Sequence, residues 1–310
     1  MKIANLDFKD GFLLAPMAGY SDVGFRSVCA LHGADVTFTE MLSAQAMKYE
    51  NKKTEDMTVR HLNERLVFAQ IFGKDPFVMA EAVKNPILEK FEGIDINMGC
   101  PAHKVVKNGE GSALLKNLPL ASKIISSCVS ATDRPVSVKV RLGYEQNNIK
   151  EIVRVCEEAG ASFITVHGRT TLDAFSGSPD YESIATAKAL AKIPVFGNGD
   201  VVNTATLAKM KETGVDGVMV GRGAVGSPWI FGELKNQTPP IGKFESILKH
   251  VQILREFYPE AWLNLYLRKH FLAYAAFLKG GSEMKRKLAL QTNIDESLKL
   301  LEEAVKHFEN

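Results

Sequence analysis

Asp95-Ile96-Asn97-Met98-Gly99-Cys100-Pro101 is an apolar run that ends abruptly on a Gly-Cys-Pro turn. Residues 94–97 read as a buried strand, and Gly99 with Pro101 forbids any regular element from continuing through Cys100. The same design recurs along the chain. Strands are expected at 12–16, 36–39, 66–71, 94–97, 136–140, 163–167, 195–197 and 217–220, separated by helical patterns such as 151–159 and 204–213. Strand–helix alternation implies parallel strands joined by crossover helices.

Where the polar residues fall decides between the parallel architectures. The strands end in Ala15-Pro16-Met17-Ala18, Glu40, Gln70, the Asn97–Cys100 turn, Lys139-Val140-Arg141, His167-Gly168-Arg169, Asn198-Gly199-Asp200 and Gly221-Arg222-Gly223. A closed barrel gathers all such ends at one mouth, whereas an open doubly wound sheet gathers only those at its switch point. Eight units over roughly 230 residues also suit a barrel of about 250. The expected fold class is therefore α/β, a (β/α)8 TIM barrel with a small C-terminal all-helical domain. After Phe231, the stretch Lys235-Asn236-Gln237-Thr238-Pro239-Pro240 has linker composition, and the rest of the chain reads as helices broken near Pro259 and at Gly280-Gly281. The expected domains are 1–235 and 236–310.

Composition excludes several classes. The chain has 310 residues, 45% hydrophobic and 24% charged, with a formal net charge of +2, so a polyanionic partner needs a local basic surface. No run approaches the roughly 18 apolar residues of a membrane span, and the start lacks a secretory pattern, so a cytoplasmic protein is expected. The four cysteines, Cys29, Cys100, Cys128 and Cys156, form no C-x-x-C pair, and no zinc-ligand spacing appears. No metal is expected. Cys29, Cys128 and Cys156 lie in helical patterns and read as small buried hydrophobes.

The last two strand ends have the character of a phosphate site, because glycines let backbone N–H groups approach an anion. Asn198, Gly199, Asp200, Gly221 and Arg222 are the candidates. Gly221-Arg222-Gly223-Ala224-Val225-Gly226 matches G-x-G-x-x-G, but no acidic strand end lies about 20 residues on, so a dinucleotide fold is rejected. Lys139 and Gln70 are polar residues on strongly apolar strands. A lysine there needs an anion or an electron-rich ring, such as the N1–O2 edge of a reduced flavin, or else a salt bridge to Glu40 or Asp95. Gln70 would bond the pyrimidine edge of the same ring, and His167 reads either as a satisfied structural histidine or as a further cofactor contact. Cys100 suits a general acid, since an ordinary thiol, near pKa 8.5, stays protonated at neutral pH.

Together these segments resemble the tRNA-dihydrouridine synthase family, most closely its bacterial B-type subgroup. The residues that carry the likeness are the strand ends quoted above, with Glu40-Met41-Leu42-Ser43, Lys104-Val105, Gly111-Ser112-Ala113-Leu114-Leu115, Pro228-Trp229-Ile230-Phe231 and Arg268-Lys269-His270. The resemblance implies FMN held around Pro16, Met17 and Ala18, then by Gln70, Lys139, His167, Asn198–Asp200 and Gly221–Arg222. It also implies Cys100 as the proton donor, Asn97 near a uracil, and NADPH or NADH as reductant. Reduction of the C5=C6 bond of a tRNA D-loop uridine is then the expected activity, with hydride to C6 and a proton from Cys100 to C5. The subgroup resemblance suggests position 17 as the target. Such a base must first be extruded from the folded RNA. Lys104, Arg141, Arg169, Arg268 and Lys269 are the expected substrate contacts, joined by Lys107 and Lys285–Lys287 as candidates for phosphate. From Asn236 onward eleven Lys/Arg face nine Asp/Glu, a small excess. Two departures from the family pattern, Thr171–Phe175 after His-Gly-Arg-Thr and Tyr181 in place of tryptophan, bear on which uridine is chosen. An FMN-barrel oxidoreductase for a small enone or pyrimidine is the alternative, and no obligatory protein partner is implied.

Overall fold

Short β-branched runs bounded by glycine and polar turns become eight parallel strands in the computed structural model, which describes residues 1–49, 52–277 and 281–309. These are β1 (Phe12–Leu14), β2 (Thr37–Phe38), β3 (Val67–Phe72), β4 (Gly93–Met98), β5 (Val136–Arg141), β6 (Phe163–His167), β7 (Val195–Asn198) and β8 (Gly217–Val220). Each pairs in parallel with the next from β2 to β8, and β8 pairs with β1. The Leu13–Val36 bridge brings β1 against β2 and completes the ring. Leu42–Ser43 continues the β2 edge by pairing with Ile71 and Phe72.

Register sets the layers of the barrel interior. Gln70, Asp95 and Ser137 are neighbours across β3, β4 and β5. One step of two residues up the strands, Asn97 pairs with Lys139, and above them Arg141 pairs with His167, which pairs with Asn198. Since side chains alternate along a strand, residues two apart share a face, so these layers stack toward the mouth.

Aromatic rings fill the opposite end. An antiparallel pair, Lys2–Ile3 with Leu6–Asp7, leads Phe8 into the barrel floor. There Phe8, Phe68, Phe163 and Phe196 meet at ring separations of 5.2–6.3 Å. Gly93 makes this packing feasible, because a Cβ on it would lie 2.2 Å from the Phe68 ring. Each such fully buried phenylalanine contributes about 1.5–3 kcal/mol through burial alone.

Most crossover helices begin on a side-chain cap. Asp22, Asp75, Asn117, Asp180 and Asn203 each accept a backbone N–H in the first turn of the helix they precede. Cys29, Cys128 and Cys156 are buried on three of the crossover helices, as their pattern implied.

Beyond the barrel the chain is helical: Lys243–Phe257, Glu260–Ala276, Gly281–Leu290 and Ile294–Glu309. The break at Pro259 is present, with Pro259 preceding the second helix. Gly280 lies outside the described residues. These helices enclose their own core of Ile247, Val251, Leu254, Leu263, Leu267, Phe271 and Leu301, which also takes in Val23 and Trp229 from the barrel side. Asp22 joins the two parts. Its Oδ1 accepts from the Phe25 amide and lies 3.0 Å from His250 Nε2, while Oδ2 lies 2.9 Å from His270 Nε2. Gly24 permits this approach, since a Cβ there would meet the His250 ring at 2.5 Å. No described helix is long and apolar enough to cross a membrane.

Candidate active site

The mouth of the barrel opens into a cavity of about 1210 Å³. Pro16, Met17 and Ala18 from the β1 turn form one wall, and Asn97 and Cys100 from the β4 turn another. Lys139, Arg141, His167, Asn198, Gly199, Asp200, Gly221 and Arg222 complete it. Residues separated by more than 200 positions in sequence thus face one space.

Cys100 is half-buried, whereas the other three cysteines are buried. Its amide donates to Asn97 Oδ1 at 2.9 Å, and the Gly99 amide does so at 3.2 Å. The Cys100 carbonyl accepts from both the amide and the hydroxyl of Ser112, at 3.1 and 2.9 Å. Gly111 precedes that clamp at φ +60°, where a Cβ would meet the Cys100 carbonyl at 3.0 Å. The Gly111-Ser112 pair therefore holds the cysteine turn, a role its sequence alone did not disclose.

Lys139 reaches across the mouth to Asn198, with Nζ 3.0 Å from Oδ1, and not to Glu40 or Asp95 as the salt-bridge reading would have it. Burial and the neighbouring Arg141 guanidinium push its pKa down to about 8. Asn198 is oriented in turn by donating to the Met219 carbonyl at 2.8 Å. His167 is buried with Nδ1 lacking any hydrogen-bond partner. Desolvation, reinforced by Lys139, Arg141, Arg169 and Arg222, pushes its pKa far down, so the ring is neutral and can accept or donate to a bound molecule.

At the β7 and β8 ends, Asp200 has φ +48° and bridges Arg169 and Arg222. Gly199 sits at φ +139°, and a Cβ on Gly221 would make an ordinary contact with the Ala15 side chain at 3.5 Å.

Several expected contacts lie elsewhere. Gln70 is fully buried below the cavity floor, where its amide donates to Asp95 and accepts from Asn97. Each of its polar atoms thus has one protein partner. Arg169 is 2% exposed, enclosed by the 170–177 loop, with Nε donating to the Ser176 carbonyl at 2.9 Å. There it pairs with Asp200, while its Nη1 has no hydrogen-bond partner. Arg141 does border the cavity, although its guanidinium is braced by the Gly99, Thr170 and Ala174 carbonyls. Burial holds its pKa down to about 10.

Lys104 and Lys107 are exposed on His103–Lys107, the short helix just after the cysteine turn. Lys269 lies 3.6 Å from the centre of the Tyr266 ring and 5.7 Å from Tyr20, which borders the mouth. Tyr258, Trp262 and Tyr266 stack at 4.7 and 4.3 Å behind it. Arg268 is exposed and bonds the Ala289 carbonyl, and Lys285, Arg286 and Lys287 are exposed on Gly281–Leu290.

Phe175 ends the 171–175 run that departs from the family pattern. It is 52% exposed at the mouth, with Arg222 and Arg141 at 4.6 and 5.3 Å from its ring and His167 edge-on at 6.3 Å. A loop phenylalanine carries no sequence signal for such a place. Among the described residues Asp22, His250 and His270 form a cluster of metal-ligand type. Its carboxylate is taken up by the helix cap and the two imidazoles.

Taken as a container, the cavity offers backbone and guanidinium donors at the β7–β8 end, an ammonium and a neutral imidazole at its centre, and a thiol on one wall. An anionic, ring-bearing cofactor fits that set. Its phosphate would meet Gly199, Gly221 and Arg222, and its ring edge would meet Lys139 and the unpartnered His167 Nδ1.

A profile of the dihydrouridine synthase (Dus) family matches residues 13–310. The chain belongs to the dihydrouridine synthase family. It is 37% identical to tRNA-dihydrouridine synthase B of Vibrio vulnificus, over 100% of this chain and 99% of that one. The probable tRNA-dihydrouridine synthase of Helicobacter pylori is 40% identical over 87% of this chain and 85% of its own. Tertiary likeness extends to a 2-naphthoyl-CoA reductase complex, with a TM-score of 0.57 at 10% identity over 77% of this chain and 52% of that one. A variant of NCR from Zymomonas mobilis gives 0.53 at 14%, over 74% and 87%. These two distant structures share the barrel fold with this dihydrouridine synthase.

Proposed function

We propose that this dihydrouridine synthase reduces the C5=C6 bond of a uridine in the tRNA D-loop, with FMN as its cofactor and NADPH or NADH as reductant. Bound FMN would supply hydride to C6 of the uracil. The observation that carries the reading is the thiol of Cys100, held by Asn97 and Ser112 on the wall of the same cavity that contains Lys139 and His167.

Cys100 would deliver the proton to C5 as hydride reaches C6, so the base gains two hydrogens and the thiolate regains its proton from solvent. The half-buried thiol keeps a path to water for that return. Arg141, fixed in place by three carbonyls, would stabilise negative charge developing on the uracil oxygen. Asn97 borders the base site, but its oxygen is committed to the cysteine turn, so its part in base contact is small. Position 17 is the proposed target.

The exposed cations Lys104 and Lys107 beside the mouth, with Arg268, Lys269 and Lys285–Lys287 on the helical segment, would contact phosphates. Residues 236–310 would then be the tRNA-binding domain of a cytoplasmic enzyme. Cys100→Ala tests the chemistry: turnover should fall about 10²–10⁴-fold while the protein remains yellow and binds tRNA as before. Normal turnover by that variant would remove Cys100 from the mechanism.

A further inference from the structure

The turn that carries Cys100 hangs on a chain of side chains whose polarity is dictated from both ends. Gln70 Nε2 donates to Asp95 Oδ2 at 2.6 Å, and Asn97 Nδ2 donates to Gln70 Oε1 at 2.8 Å. Asn97 Oδ1 then accepts the Cys100 and Gly99 amides at 2.9 and 3.2 Å. An ionised carboxylate only accepts, and a backbone N–H only donates. Above about pH 7 the ionised Asp95 therefore requires Gln70 to turn its amide nitrogen downward, and the two backbone amides require Asn97 to turn its oxygen upward. Reversing either amide sets acceptor against acceptor or donor against donor.

The chain is built into the barrel. Gln70 and Asp95 are fully buried register partners on β3 and β4, and Asn97 lies two residues beyond Asp95 on the same face. The second carboxylate oxygen of Asp95 accepts from Ser137 Oγ at 2.6 Å. Asp95 does not border the cavity, so it acts through others.

We infer that Asp95 is a positioning residue for Cys100, its carboxylate setting the direction of the Gln70–Asn97 amide chain that anchors the cysteine turn. Burial pushes the Asp95 pKa up to about 7, against hydrogen bonds from Gln70 and Ser137 and the charge of Lys139. These are the groups that face it. Its catalytic meaning rests on the proposed role of Cys100, but the anchoring itself does not.

Substitutions that change polarity without changing shape separate direction from packing. Asp95→Asn preserves every link, because its oxygen still accepts from Gln70 and its amide donates to Ser137. Asn97→Asp keeps an acceptor for the two backbone amides but turns an acceptor toward Gln70, so Gln70 conflicts with residue 97 or, reversed, with Asp95. Adding Asp95→Asn supplies a donor at the far end, and a reversed Gln70 then satisfies every link.

The experiment is native-state alkylation of Cys100 by iodoacetamide at pH 8.5, with thermal melts, on the full-length chain. The other three thiols are buried, so the rate reports Cys100. D95N should react within about twofold of wild type, N97D at least about fivefold faster as its turn loosens, and the N97D/D95N pair close to wild type again, with melting temperatures in the same order. A pair no nearer to wild type than N97D alone, or an N97D rate equal to wild type, overturns the inference. Should N97D not fold, Asp95→Leu replaces it: fast alkylation beside a slow D95N supports the chain, and equal rates overturn it. Alkylation reads the turn and not the reaction, so a failure here is distinct from turnover by Cys100→Ala, which would defeat the proposed acid instead.

Discussion

Lys139 Nζ and Asn198 Oδ1 lie 3.0 Å apart across the barrel mouth, joining β5 to β7 directly above the Asp95 layer. A neutral amide is a weak partner for a half-buried ammonium, so the site keeps a cation ready for an anionic ligand.

That cation leaves a signature in the cofactor-free protein. Its pKa, about 8 when folded, rises to about 10.4 on unfolding, so between these values the unfolded chain binds more protons. Stability should increase with pH across that window, and below pH 8 the full cost of the buried charge is present. In urea titrations Lys139→Met should abolish the alkaline increase. The same variant should bind FMN at least about tenfold more weakly, by loss of a charge-assisted hydrogen bond.

Acid should destabilise the fold through histidines held neutral by burial. His32 and His270 are pushed down to about 4, and His167 lower still. Each therefore binds fewer protons folded than unfolded between its own value and about 6.5, and stability falls as pH drops through that range. Asp22, held well below the usual carboxylate range by His250 and His270, adds to the loss only below about pH 4. The unfolding free energy from urea titrations should drop between pH 7 and 5, on the order of 1–2 kcal/mol per histidine. His32→Asn should remove one share of that slope.

Arg169→Met should cost stability and leave RNA affinity intact. Asp200 is a third exposed and keeps Arg222, so breaking this half-buried ion pair costs about 1 kcal/mol. The salt dependence of tRNA affinity should keep its slope. Lys104→Ala should instead flatten that slope by a little under one unit. Equal slopes for both variants would place Lys104 off the RNA path.

The strands were legible in the sequence, because each is a short β-branched run closed by glycine or a polar turn, and their polar ends named most of the cavity wall. What misled was the solvent exposure of individual polar residues. Arg169 looks like any loop arginine until the carbonyls of residues 176 and 177 close on it. Gln70 sits one layer too deep, a difference of two residues in register that no composition signals. Asp22 meets His250 only because Gly24 lets two helices touch across 228 positions, and such a contact has no local pattern.

The most direct measurement of the central claim is mass spectrometry of tRNA lacking dihydrouridine after incubation with the purified protein, FMN and NADPH. The account predicts a gain of two hydrogens at a D-loop uridine, at position 17, and no gain with Cys100→Ala. A yellow, folded protein that leaves the tRNA unchanged yet reduces a free enone would contradict it and assign the cavity to a small-molecule substrate.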